Sequence, residues 1–408
     1  MTPPLGRKQK PDVPVDFLIT LAKSMHLYGT AAGLLEQTLV RVSERLGVEA
    51  EFFSTPTSVF ISMVRGGEHR TILIRLEPGD IDLGRLVEID QLRVEVVEGR
   101  CDPKEGERRI KEMMARPETW GALITLFAFG LASATAARFF GGGVLEIAVA
   151  GTIGLSIGVL ANVVPRIRDA SRLFEPTAAF FAALIGSVAP RFLGEMSSST
   201  ATLAGLIALV PGLSLTIAMK ELATRHLASG TSRLMGAIVV FITMGFGVAM
   251  GRGFADVVIG DQEESIAASL PLWTEIVALA LAPIALGILF RARPKDLVWV
   301  WITGVISFTT VRVANHWVSP ELSVCLGAMA VGGTANLFSR LRQLPSAVVL
   351  VPGIMLLVPG SIGFRSIASM LDRDVLTGVD AAFTTLLVAS GLVAGLLFAN
   401  AVVRPRQI

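Results

Sequence analysis

The chain has 408 residues, of which 52% are hydrophobic and 17% charged, and its formal net charge is only +2. With a mean hydropathy of +0.63 it is too apolar for a water-soluble protein, and the near-neutral charge gives no reason to invoke nucleic acid. The two cysteines, Cys101 in polar sequence and Cys325 in an apolar span, argue against a disulfide framework.

Residues 1–117 are polar and read as a small α/β domain. The first stretch, MTPPLGRKQKPDVPVDF, is basic but has no apolar signal core, so this end is expected in the cytoplasm, with disorder through Asp12. Val15–Tyr28 predicts a helix interrupted near Gly29. Leu35, Leu39, Val42 and Leu46 then fall at helical spacing, and Gly47 ends that second helix. The β-branched runs Ser58–Val64 and Arg70–Leu76 predict two strands joined at Gly66-Gly67, and Glu51–Ser54 offers another. Asp82–Glu98 predicts a helix. Asp102-Pro103-Lys104-Glu105 combines an N-cap, a proline at the first helical position and an acid in the first turn. His26, Ser54 and Ser58 are the residues a hydrolase would use. No spacing here matches a metal site, a phosphate loop or a nucleophile elbow, so the favoured reading makes STPTS a turn and assigns no enzyme activity, cofactor or metal.

Beyond Trp120 the chain offers about ten apolar spans near the ~20 residues a bilayer requires. They are 120–140, 144–164, 176–193, 200–223, 231–251, 271–290, 296–318, 321–338, 346–370 and 375–403. With the N-terminus inside, one set of loops holds Arg166, Arg168, Arg172, Lys220, Arg225, Arg233, Arg291, Arg293, Lys295, Arg340, Arg342, Arg404 and Arg406. The other side holds Arg138, Arg191, Arg252, Arg365 and Arg373. An excess of that size predicts both termini in the cytoplasm of an inner (plasma) membrane protein.

Two stretches interrupt the apolar pattern. Ser346–Ser366 carries Pro352-Gly353 and Pro359-Gly360, and Leu209–Thr216 carries Pro211-Gly212. Proline removes a backbone donor and glycine permits otherwise forbidden angles, so both predict broken helices. In hydrocarbon such breaks are tolerated where they face protein or a watery cavity. Sliding the chain by about 148 residues lays LVPG at 209–212 on LVPG at 357–360, Gly230 on Gly378 and Gly247 on Gly395. Because five spans per half is odd, the halves enter the membrane from opposite faces. The expected fold class is therefore mainly α: a polytopic helical membrane protein of about ten helices in two inverted five-helix repeats after the α/β domain. Its divisions are 1–117, a first repeat 118–255, an acidic external loop 256–270 and a second repeat 271–408.

The breaks nominate Pro211, Gly212, Ser214, Thr216, Pro359, Gly360, Ser361 and Gly363 for binding a small polar zwitterion, with Asn336 as an amide inside a span. The competing reading of Ser214 and Thr216 has them bonding their own helix. Asp380, Glu275 and Arg312 are candidates for proton coupling, with structural ion pairing as the rival. No GxxxxGK[ST] occurs, so an ion or substrate gradient, protons first and sodium second, is the expected drive. Partners beyond substrate, ions and the bilayer reduce to an open question of homo-oligomers.

The sequence resembles the bacterial threonine/serine exporter family. The resemblance is carried by Leu27–Phe60, by ALVPGLSLTIAMKELATRHLASGTSRLMGA at Ala208–Ala237 and by LLVPGSIGFRSIASMLDRDVLTGVDAAF at Leu356–Phe383. It covers nearly the whole chain, although Tyr28-Gly29 is followed here by Thr30-Ala31-Ala32-Gly33 where many members have an early charged pair. The resemblance implies ten spans in two halves and gradient-driven export of threonine or serine. It also implies a cytoplasmic N-terminal domain of suspected hydrolase-like activity. Two alternatives accompany it: an exporter of short dicarboxylates such as succinate, and a membrane-anchored hydrolase.

Overall fold

The computed structural model describes residues 13–65, 68–77, 79–164, 173–260, 265, 267–358, 360–371 and 374–405. The segment through Asp12, the turn at Gly66-Gly67, Pro359 and the loop arginines Arg166, Arg168, Arg172, Arg373 and Arg406 lie outside them. The chain divides into two compact units at Pro117–Glu118.

In the first unit, α1 (Val13–Leu27) and α2 (Ala32–Arg45) precede a meander of β1 (Ala50–Thr55), β2 (Ser58–Arg65) and β3 (Glu68–Arg75), followed by α3 (Leu83–Val97) and α4 (Pro103–Ala115). The strands run antiparallel in the order β1-β2-β3, with Phe52 opposite Ile61 and Ile61 opposite Ile72. Alternation in β2 turns Val59, Ile61 and Met63 inward, where they meet Leu35, Leu39 and Val42 from one face of α2 and Phe17, Leu18 and Leu21 from α1. Burying a side chain such as Phe17 completely contributes about 1.5–3 kcal/mol. Asp82 caps α3 by accepting from Arg85 N at 2.8 Å, and Asp102 caps α4 by accepting from Lys104 N at 2.9 Å.

The second unit is helical. Its first half contains α5 (Ala122–Phe139), α6 (Val144–Val163), α7 (Phe174–Val188) with the short α8 (Pro190–Leu193), α9 (Ser198–Gly205), α10 (Gly212–Ala223) and α11 (Leu227–Ile259). Its second half contains α12 (Leu272–Leu289), α13 (Leu297–Ala314), α14 (Pro320–Arg342), α15 (Ala347–Met355), α16 (Gly360–Leu371) and α17 (Val375–Val402). Among the described residues, nine stretches are long and apolar enough to cross a membrane, one of them being α15 and α16 taken together. The expected fourth span, 200–223, is not one helix. It is α9 and α10, parted at Leu206–Pro211, and neither piece reaches the ~20 residues of a crossing. Each half thus has four continuous helices and one broken pair.

Two boundaries differ from expectation. The helix α11 runs past Gly251 to Ile259, into the segment read as external loop, and at 33 residues spans about 50 Å, more than the hydrocarbon core. Pro352-Gly353 does not break its helix; α15 continues through it to Met355. Pro352 is the sixth of the nine residues of α15, and the turn before it is already regular, with Leu350 N donating to Ser346 O at 3.0 Å, so the proline forgoes only its own bond to the carbonyl four residues back.

The halves are inverted. The indole of Trp120, just before α5, donates to Ala292 O at 2.8 Å, just beyond α12. At the opposite end, Arg138 Nε donates to Thr274 Oγ1 at 2.6 Å. The equivalent first helices therefore lie antiparallel. Matched glycines make matched contacts. A Cβ on Gly230 would meet Leu222 and Ala218 O, and one on Gly378 would meet Met370 and Ser366 O, the corresponding residues. Gly247 faces Pro176 O and Ala179, and Gly395 faces Cys325 O and Ala328. Without hydrophobic drive between helices in lipid, such small-residue seams let backbones approach closely.

Candidate functional site

The two breaks meet. The half-helix α10 starts at Gly212 and α16 at Gly360, and these glycines lie against one another. A Cβ on Gly212 would fall 2.1 Å from Val358 Cγ1 and 3.1 Å from Gly360 Cα. One on Gly360 would fall 2.7 Å from Val210 Cγ1 and 3.4 Å from Gly212 Cα. Val210 and Val358 are equivalent in the repeat, so each half places its valine over the glycine of the other. Glycine is required here by close approach of two backbones. The starts of α10 and α16 bring the positive ends of two helix dipoles to one place, an arrangement favourable to a negatively charged group.

The other sides of the breaks are capped. Gly205 O, at the end of α9, accepts from Ser133 Oγ at 2.9 Å, and Gly353 O accepts from Ser307 Oγ at 2.8 Å. Both serines are fully buried. A helix end leaves carbonyls without intrahelical partners, and leaving one buried and unsatisfied costs about 1–3 kcal/mol. Gly205 and Gly353 are equivalent, yet their donors come from α5 in one half and α13 in the other.

Beside this junction is a cavity of about 150 Å³, lined by both breaks and the helices around them. Ile207, Ala208, Met355, Leu356, Val358 and Ser361 come from the breaks. Thr135, Phe139 and Phe140 come from α5 and its end, Ala282 and Leu286 from α12, and Phe308 from α13. The Phe139 and Phe308 rings, one from each half, are 4.9 Å apart between centroids. This volume is below the roughly 300–1,000 Å³ of drug-sized sites and suits a solute of few atoms. Two roomier grooves, about 420 and 560 Å³, are open and almost wholly apolar, a lining that suits lipid better than a polar solute.

Of the nominated residues, Ser361 lines the cavity, while Gly212 and Gly360 form the contact beside it. Pro211 is half-buried at φ −77° and ψ 39°, outside helical geometry, and Pro359 lies outside the described residues. Thr216 is buried and donates to Gly212 O at 3.1 Å, a bond within its own helix; Ser214 is half-buried on the same helix. Gly363 is buried against Phe241 and Thr385. Asn336 is held elsewhere, donating to Asn400 Oδ1 at 2.9 Å and Val403 O at 2.7 Å, which ties α14 to the end of α17. Asp380 is exposed on α17. Glu275 and Arg312 form an ion pair at 3.5 Å, the former 14% and the latter 59% exposed in its side chain.

Sequence reasoning missed Ser133, Ser307 and the aromatic wall, which are ordinary span residues whose role depends on which helices become neighbours. It also missed Glu146. This buried acid accepts from Gly143 N at 2.8 Å and Ser197 N at 2.7 Å, so it staples the start of α6 to the N-cap of α9. An acid in the first turn of a span was the available signal.

In the polar unit, His26 Nε2 lies 3.0 Å from Pro56 O, Ser54 N donates to Glu36 at 2.6 Å, and Thr55 and Ser58 share a hydroxyl bond of 2.8 Å. These bonds brace the β1–β2 turn. Among the described residues, no group of three or more His, Cys, Asp or Glu side chains could hold a metal ion.

Comparison with known proteins agrees with this architecture. The chain is 26% identical over 365 residues to pheromone-regulated membrane protein 10 of Eremothecium gossypii, covering 86% of this chain and 48% of that one. It is 26% identical to the protein of the same name from Kluyveromyces lactis (86% and 38% covered), and 23% identical to that from Debaryomyces hansenii (95% and 40% covered). The chain thus spans less than half the length of these curated relatives. No solved structure matches it. Two threonine/serine exporter models match in succession, one over residues 16–255 and the other over 275–402, so this multi-pass membrane protein belongs to the threonine/serine exporter family.

Proposed function

We propose that the chain is a secondary exporter of small amino acids, threonine and serine, working by alternating access at the junction of the two broken helices. The observation that carries this reading is the contact of Gly212 with Gly360 beside a small cavity lined by both halves. Interrupted helices meeting between inverted repeats are a recurrent plan for secondary transporters, with the site near the midplane. The half-helix N-termini offer a carboxylate a favourable field, and Ser361 offers a hydroxyl. Exchange is driven by protons, with Asp380 and the Glu275–Arg312 pair as the coupling groups, and sodium is the rival ion. The protein sits in the inner (plasma) membrane with both termini in the cytoplasm, an orientation supported by the basic residues of its loops.

The test is counterflow. Proteoliposomes holding the full chain and loaded with unlabelled threonine should accumulate labelled threonine, compete with serine and respond to an imposed pH gradient. Vesicles that exchange succinate but no threonine would keep the mechanism and overturn the amino-acid substrate. Exchange of neither would overturn transport at this junction.

A further inference from the structure

The repeat is broken by one charge beside the cavity. Arg365 lies on α16 one turn after Ser361, so both project from the same face. Its guanidinium sits over the ring of Phe140, 5.9 Å from the centroid, and Phe140 is part of the cavity wall. The side chain is exposed, and no described carboxylate pairs with it. This sets it apart from Arg233 and Arg293, which have acidic partners at 3.2 and 2.6 Å. The equivalent residue in the first half is Ile217, and α10 forms there with the same length and start. The scaffold therefore does not need a cation at this position.

Resting on the transport reading, we propose that Arg365 is the group that recognises the substrate's carboxylate at the rim of the junction cavity. A guanidinium offers a planar fork of donors that matches a carboxylate, and its stacking on Phe140 restrains it without using those donors. Ser361, on the same face, supplies a hydroxyl beside it, and the α16 N-terminus adds its dipole. Phe139 and Phe308, which pack on one another at 4.9 Å between centroids, line the same cavity and supply aromatic surface for the ammonium end of the substrate. A small α-amino acid presents both charges, whereas the corresponding amino alcohol presents only the second.

The experiment measures threonine counterflow for wild type, Arg365→Gln and Arg365→Lys, each with threoninol, the alcohol of threonine, as competitor. Arg365→Gln should raise the half-saturation concentration for threonine by about 10- to 100-fold, the scale of a lost bond to a charged group. It should also abolish the preference for threonine over threoninol. Arg365→Lys should restore part of both. A structural role would lower the maximal rate and leave the preference intact, which would overturn the proposal. So would an unchanged half-saturation in Arg365→Gln. If wild type exchanges succinate alone, the same variants are measured on succinate with a monoamide of it as competitor, and the same outcomes apply. Exchange of neither compound by wild type would remove the transport reading, and this proposal with it.

Discussion

The two halves of the membrane unit agree where backbones touch and differ where charges sit. In both, a half-helix of 12 residues begins at the glycine of LVPG, a later glycine seats the following long helix, and a serine caps the carbonyl before the break. Beyond that they diverge. In the first half, buried Glu221 near the end of α10 accepts from Ser229 Oγ at 2.9 Å and pairs with Arg233 of α11 at 3.2 Å. The corresponding residues of the second half are Ser369, Thr377 and Ala381, and there Ser366 Oγ donates to Gly378 O at 2.6 Å instead. The shared contacts are set by how closely helices must approach, which only small residues allow. The charged ones are free to differ because they ride on a scaffold already formed. Steric positions thus define the architecture, and the asymmetric charges, Glu221 with Arg233 in one half and Arg365 in the other, distinguish its two ends.

The largest effect expected from this comparison is at the glycine contact. Gly212→Val and Gly360→Val should each reduce exchange by about tenfold or more while leaving membrane insertion intact, because overpacking here costs about 1–3 kcal/mol and must displace a backbone. The milder Gly212→Ala should be partly rescued by Val358→Ala, since Val358 Cγ1 is the nearest atom to the new Cβ. Strict additivity of that pair would show that the two breaks are not in contact.

A smaller effect tests the divergence. Glu221→Gln keeps a partner for Ser229 but leaves Arg233 without its carboxylate, which should cost about 1–3 kcal/mol in thermal unfolding of the detergent-solubilised protein. Ser369→Ala, at the equivalent position, should change stability by less than about 0.5 kcal/mol. Equal losses at both sites would deny that the two ends are held differently.

Much of this was legible in the sequence because its causes are local. Apolar length showed the spans, Pro-Gly pairs marked the breaks, and LVPG at a fixed separation revealed the duplication. The polar unit was legible for the same reason: Asp82 and Asp102 cap helices through residues two or three positions away. What was not legible depends on distant neighbours. Ser133 and Gly205 are far apart in the chain, as are Ser307 and Gly353, and nothing in an apolar span says which serine will meet which carbonyl. Pro352 showed the converse error, a breaker residue accommodated inside a helix. Asn336 drew notice as an amide in a span, but its bonds to Asn400 and Val403 place it at a helix end away from the junction.

The central claim is that the meeting point of the breaks is where substrate sits and is exposed to each side in turn. The most direct measurement places a single cysteine at Ser361, with Cys101 and Cys325 replaced, and follows its reaction with a membrane-impermeant thiol reagent applied to either face of proteoliposomes. The account predicts labelling from both faces, slowed several-fold by saturating threonine, while a cysteine at the exposed Glu195 position is indifferent to threonine. Labelling of the Ser361 cysteine from one face only, unaffected by threonine in vesicles that exchange it, would contradict the account.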